Sequence, residues 1–399
     1  MATAMSIVKS APLLRVCVLE KEAQLAAHQT GHNSGVIHSG IYYRPGSVKA
    51  RTCVRGRDRL VRFCEERGIN HEICGKVIVA SSKLDLCKLE ELLARSAANG
   101  VPGVVKLSPE QMIEIEPAVS GVGALYVPST GIVNYVDVTA EYGRIFQCSG
   151  GQLKFSSRVT RIVRGPEGLV LEAGNHSFFC RCAVNCAGLY SDEIARLSGE
   201  SANLRIVPFR GEYYRLAPER KSLVRNLIYP VPDPRLPFLG VHFTRRVDCS
   251  IEAGPNAVLA FRREGYHKLS FSPAEFASMV SFPGFWKMSA QWWRTGVDEM
   301  ARSFLKSRFV KALQKLVPDV RSSDLQPGGS GVRAQAVSRD GHLLDDFHIV
   351  KGNRMIHVCN VPSPAATASL EIGDTVAAIA LSTFAEHLPS FSLPSVSAQ

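Results

Sequence analysis

Segments of strand and helix character alternate along this 399-residue chain, and that alternation restricts it to a mixed α/β fold. Arg15–Leu19 (RVCVL) is a short apolar run, read as a buried strand, that runs into Glu20. Ser47–Gly68 spaces Val54, Leu60, Val61 and Phe63 among arginines as a helix does, with Gly68 as its stop. Lys76–Ala80 is strand-like, and Leu84–Ala98 reads as a second helix. Residues 122–136 suggest a strand pair around the turn Pro128-Ser129-Thr130-Gly131, followed by a helix over 137–148. Residues 152–172 read as short strands broken at Gly165–Gly168, Phe178–Cys186 as one strand, and 190–198 as a helix. From 206 to about 265 the chain is β-rich, from 273 to 317 helical, and from 328 to 359 again strand-like. Pro364–Leu388 is expected to form a last helix.

The order of these segments suggests an insertion. The block 206–325 reads as a substrate-binding part set into a discontinuous cofactor-binding part made of 1–75, 137–205 and 326–399. Residues 76–136 read as an excursion into the substrate part, and ligands are expected in the cleft between the two. A composition of 45% hydrophobic and 21% charged residues is enough to bury such a core. Only the Ser/Pro-rich tail Pro389–Gln399 is expected to be disordered.

The net charge of +11 favours an anionic substrate, cofactor or membrane surface as partner. It does not favour nucleic acid, because the basic residues are dispersed, without a Lys/Arg run or zinc-finger spacing. Eleven cysteines with no even framework and no secretory signal before them read as free thiols in a reducing compartment. Cys180, Cys182 and Cys186 lie in an apolar run and are expected to pack rather than bind metal. No apolar run approaches the roughly 18 residues of a membrane span. The first 16 residues carry Lys9 and Arg15 and no acid, which is only weakly like a transit peptide.

Four stretches carry chemistry. In VCVLEKE (16–22) a strand ends on Glu20, where a carboxylate can accept hydrogen bonds from the ribose hydroxyls of a dinucleotide. In HQTGHNSGVIHSGIYY (28–43), Gly31, Gly35 and Gly40 imply close backbone approach, and Thr30, Asn33, Ser34 and the backbone at Gly35 can serve a pyrophosphate. Its histidines, His28, His32 and His38, are not spaced for metal, so no metal site is expected; His38 is the functional candidate. In CAVNCAGLYSD (182–192) the small residues Ala187 and Gly188 let a cofactor lie across a strand end. In GVRAQAVSRDGHLLDDF (331–347), Arg333 follows Gly331 in an apolar strand and suits a carboxylate bidentately. The fourth stretch is followed by NVPSPAATASLEIG (360–373), where Pro364, Ala365, Ala366 and Thr367 open the last helix, whose amides could face an electron-rich ring.

These blocks occur in the order, and nearly the wording, of the D-amino-acid-oxidase-like flavoproteins, and most closely resemble the L-2-hydroxyglutarate dehydrogenase family. The strings VLEKE, HQTGHNSGVIHSGIYY, CGKVIVA, TGIVNY, NCAGLYSD, RIVPFRGEYY, NLIYPVPDPR, FLGVHFT, GPNAVLAF, GVRAQA and PSPAATAS carry the likeness from about Val16 to Gly373. The resemblance implies an FAD-binding Rossmann-like fold with an inserted α+β substrate domain. It also implies oxidation of L-2-hydroxyglutarate, a small dicarboxylate, to 2-oxoglutarate, a quinone-linked electron acceptor, peripheral membrane contact and a mitochondrial location.

The sequence departs from that family at its start. MATAMSIVKSAPLLR, which precedes the Glu20 strand, contains no glycine, so the family's first strand, its GxGxxG loop and a presequence are not expected in this chain. Ser6–Lys9 (SIVK) is expected to be the segment able to replace the missing strand, and FAD binding is expected to be poor. Within the resemblance, Arg333 clamps the carboxylate beside the hydroxyl, His38 is the base or orients the flavin, and Arg210 and His242 are further anchors. Two alternatives stay open: an amino-acid or glycerol-phosphate oxidase on the same fold, and a flavin-poor, inactive form.

Overall fold

The computed structural model describes residues 1–200, 203–233 and 238–388; the expectation for the tail lies outside them. The chain is mixed α/β, and its strands fall into several sheets. Strand Cys17–Leu19 pairs in parallel with Gln152–Lys154. Strand Ala183–Asn185 pairs in parallel with Met355–Asn360. Helices Ala2–Ser10, Tyr135–Cys148 and Ser369–Thr383 bury Met5, Val8, Tyr142, Phe146 and Leu370 in one apolar cluster with Leu60 and Phe63.

A nine-stranded sheet forms the other half of the architecture. Strands Lys76–Ala80, Val105–Leu107 and Gly123–Val127 join it beside Leu227–Pro230, His242–Arg245, Ile251–Gly254, Val258–Leu259 and Leu204–Leu216, and Leu325–Ser338 pairs along Leu204–Leu216. Lys76–Ala80 is an interior strand, parallel to Leu227–Pro230 and antiparallel to Gly123–Val127, and apolar clusters on both of its faces bury all five of its residues.

Helix boundaries follow the cap chemistry. Helix Val48–Arg67 starts where Ser47 Oγ accepts from the amide of Ala50 at 3.2 Å and ends at Gly68, whose φ of 64° is the left-handed stop that glycine adopts freely.

Four expectations are corrected. Ser6–Lys9 lies in a helix, Ala2–Ser10, not a strand: Ala2, Ala4 and Met5 are strong helix formers, and Met5 and Val8 recur on one buried face. Gly123–Val127 and Gly131–Val133 are not a strand pair; the first pairs with Lys76–Ala80 and Val105–Leu107, the second with Val36–Ile37 and His71–Glu72. Residues 178–186 are divided, because His176–Cys180 pairs with Leu169–Ala173 while Ala183–Asn185 joins Met355–Asn360. The last helix begins at Ser369, preceded by turns over 363–368.

Candidate active site

The alternation of side chains along the large sheet builds the site. In Lys76–Ala80, Val77 and Val79 point into an apolar core with Ile228, Phe243 and Phe309. The opposite face therefore carries Lys76 and Ile78, and the registers 229↔78 and 228↔243 put Tyr229 and His242 on that same face. Tyr229 and His242 stack with ring centroids 3.9 Å apart. The Nδ1–H of His242 donates to the carbonyl of Gly240 at 3.0 Å, which leaves Nε2 as an acceptor. Lys76 Nζ sits 4.3 Å from the Tyr42 ring centroid and 5.0 Å from that of Tyr229.

Two other elements complete the cluster. His38 follows strand Val36–Ile37, and its amide donates to Thr367 Oγ1 at 3.1 Å. Thr367 is in turn tied to the hydroxyl of Tyr135 at 3.0 Å. Arg333 lies opposite Phe209 in the long strand pair and extends its guanidinium 5.1 Å from the Phe238 ring centroid. Among the described residues Arg333 forms no ion pair and no hydrogen bond. Burial, first, and then the charges of Lys76, His242 and Arg333 push the His38 imidazole down to about 3. His242 is likewise pushed down to about 3, mainly by burial and then by Arg333 and Lys76, against the raising effect of its bond to Gly240. Both rings are therefore neutral near pH 7, each with a lone pair able to accept a hydrogen bond.

Arg210 is not part of this cluster. It neighbours Phe209, whose partner is Arg333, so it points to the opposite face of the same strand. There it is spent on Glu212 at 2.9 Å and the carbonyl of His267 at 3.0 Å, and it is a structural ion pair rather than a substrate anchor.

The expected cofactor residues gather around the strand ends. Glu20 Oε1 accepts from the amide of Glu22 at 2.9 Å, and the other carboxylate oxygen has no partner among the described residues. Burial lowers the Met1 ammonium, against the raising charges of Cys186 and Glu20. Gly188, at φ 54°, abuts the 26–33 loop; a Cβ there would stand 2.9 Å from Gln29 Oε1. Gly331 abuts the same loop from the other side, 2.2 Å from the carbonyl of His32 on the same construction. Asn33 does not point outward as expected. Its amide nitrogen donates to Thr30 O at 2.6 Å and its oxygen accepts from Gly35 N at 2.8 Å, so it folds its own loop. Ser34 and the Thr30 hydroxyl make no side-chain hydrogen bond among the described residues, and Gly35 has φ 70°. Ala187 N is held by Asn185 Oδ1 at 3.1 Å. Beyond Pro364, Ala365 donates to Pro362 and Ala368 to Pro364, which leaves the amides of Ala366 and Thr367 without backbone acceptors.

This donor set fits FAD. Glu20 has a free acceptor for ribose, and the first turn of helix Ala2–Ser10 has no side-chain cap. The Ala366 and Thr367 amides, without backbone acceptors among the described residues, would be donors to the cofactor, and the Thr367 hydroxyl accepts from the His38 amide beside them.

Comparison with known proteins decides the family. The chain matches the FAD dependent oxidoreductase family over residues 1–379. It is 49% identical over 385 residues to L-2-hydroxyglutarate dehydrogenase of Indibacter alkaliphilus, covering 96% of each chain. The chain belongs to the L-2-hydroxyglutarate dehydrogenase family of FAD-dependent oxidoreductases. The human member, named mitochondrial L-2-hydroxyglutarate dehydrogenase, is 44% identical over 394 residues, which cover 94% of this chain and 85% of that one. The fold of this dehydrogenase-family chain is shared with FAD-bound L-α-glycerophosphate oxidase of Mycoplasma pneumoniae, at a TM-score of 0.76 and 20% identity, covering 96% and 91% of the two chains.

The sequence pointed to His38, His242 and Arg333, but not to Lys76, Tyr42 or Tyr229. It also missed an ionic knot beside the 26–33 loop. There Lys21 bridges Glu22 and Glu264, and His28 contacts Glu22 at 2.8 Å and the Tyr266 hydroxyl at 2.9 Å. Glu22, His28 and Glu264 have the proximity of metal ligands, but the Lys21 ammonium already bonds both carboxylates. The hydrogen bonds from Lys21 and then His28 hold the Glu22 carboxyl down to about 2.

Proposed function

We propose that this chain oxidises L-2-hydroxyglutarate to 2-oxoglutarate and passes the electrons to a quinone-type acceptor. The observation that carries the reading is the unpaired Arg333 guanidinium beside two neutral imidazoles, a site complementary to a hydroxy-carboxylate. Arg333 holds the carboxylate next to the hydroxyl. His38 accepts the hydroxyl proton, and its position one bond from Thr367 keeps that proton transfer next to the flavin end. FAD supplies the hydride acceptor when bound. A second reading exchanges the histidines, because the Gly240 contact fixes His242 with Nε2 as acceptor. Parallel His38→Gln and His242→Gln variants separate them: the base is the one whose loss lowers kcat while substrate binding persists.

Support for a membrane-bound acceptor comes from helix Pro283–Phe304. It exposes Trp286, Trp293, Val297 and Phe304 at helical spacing, with Leu305 and Leu269 adjoining and Lys268, Lys287 and Arg294 alongside. The occupant of this face is an anionic lipid surface, and flotation with phosphatidylserine liposomes tests it; a protein that stays at the bottom removes this part of the reading. A mitochondrial location follows the human relative's name and is tested by organelle fractionation. The main reading is tested by anaerobic mixing with L-2-hydroxyglutarate, glycerol 3-phosphate and L-amino acids. Flavin bleaching by L-2-hydroxyglutarate alone is expected; bleaching by either of the others instead assigns the chain to the oxidases.

A further inference from the structure

Lys76 is a charged side chain in a place that charges avoid. It is 1% exposed, at the start of an interior strand of the sheet. Among the described residues it has no carboxylate partner and no hydrogen bond, and its ammonium rests on the faces of Tyr42 and Tyr229. The hydroxyl of Tyr42 is itself buried without a partner. Removing an ammonium from water is costly, and two aromatic faces offset only part of that cost, so the fold leaves this cation under-compensated. Arg333, whose charge acts on both histidines, forms no ion pair among the described residues and is exposed.

Glu252, the acid that shares this sheet face, is already taken by Arg246 at 3.2 Å, so a site with two unpaired cations and two neutral imidazoles remains complementary to a dianion. We propose that Lys76 is the specificity-determining residue of the site, taking the distal carboxylate of a dicarboxylate whose other end is held by Arg333. The assignment rests on the dehydrogenase reading and adds to it the reason a five-carbon diacid is preferred to a hydroxy-monoacid. The aromatic faces do not compete for the ammonium as a carboxylate would, so the incoming carboxylate displaces no ion pair. Burial also pushes the Lys76 ammonium down to about 7, and an adjacent carboxylate favours its charged form.

The test is direct binding, by titration calorimetry on the full-length, flavin-loaded protein, of glutarate and of pentanoate, which lacks one carboxylate. The wild-type protein is expected to prefer glutarate. Lys76→Met, which keeps length and suits the aromatic faces, is expected to weaken glutarate by about 10- to 100-fold, the loss of one charge-assisted partner, and to leave pentanoate unchanged. Lys76→Arg should recover part of the preference. Lys76→Gln is read in the same way if the methionine variant does not fold. Unchanged glutarate binding in either neutral variant, with the wild-type preference intact, overturns the role of Lys76 and leaves the dehydrogenase reading standing. A wild-type protein that does not prefer glutarate overturns both.

Discussion

At the scale of single residues, what a side chain does here depends on which face of its strand it occupies. Arg333 and Arg210 lie on paired neighbouring strands, yet one is unpaired in the cleft and the other is neutralised by Glu212. The sequence marks both as Gly-flanked arginines in apolar strands and cannot tell them apart, because strand register depends on distant partners. Lys76 was illegible for a related reason: in a strand buried on both faces, the period-two alternation that would mark a cleft-facing residue disappears. Arg333→Lys keeps the charge and loses the fork. Catalytic efficiency should fall about 10- to 1,000-fold, with FAD content nearly unchanged. A variant that loses its flavin instead moves Arg333 to the cofactor site. The histidines also set an acid limit. Their folded values of about 3 lie below the ordinary 6.5, so the unfolded chain takes up protons that the folded one refuses. Their contribution to stability is complete above about 6.5 and falls as pH drops towards about 3. Tm should decline between about pH 7.5 and about pH 4.5, and a His38→Gln, His242→Gln double variant should flatten that decline. An identical slope in the double variant contradicts the assignment.

Among the elements, local chemistry was legible and long-range pairing was not. Ser47 and Gly68 gave the ends of helix Val48–Arg67 because caps are made within a few residues. The turn at 128–131 was visible, but not that the strands on its two sides enter different sheets. The glycines of the cofactor motifs were readable as sites of close approach, and Gly331 shows what approaches: the backbone of the 26–33 loop. Gly331→Ala would force a Cβ against the His32 carbonyl at a spacing of 2.2 Å. It should displace the loop and cost about 1–3 kcal/mol, as overpacking does, read as a lower Tm together with reduced flavin content. A variant with unchanged Tm and full flavin content would show that the loop yields freely.

For the whole molecule, the bond from the His38 amide to Thr367 ties the short strand Val36–Ile37 to the turns that precede the last helix. The four motif blocks are far apart in sequence, and their convergence could be inferred only through the family likeness, which covers nearly the whole chain. The central claim is that a carboxylate clamp at Arg333 and a fixed flavin face together admit one hydrogen of one enantiomer. The most direct measurement is the anaerobic rate of flavin reduction with each enantiomer of 2-hydroxyglutarate. Rapid reduction by the L enantiomer and none above background by the D enantiomer is expected; equal rates with the two would overturn the Arg333 clamp.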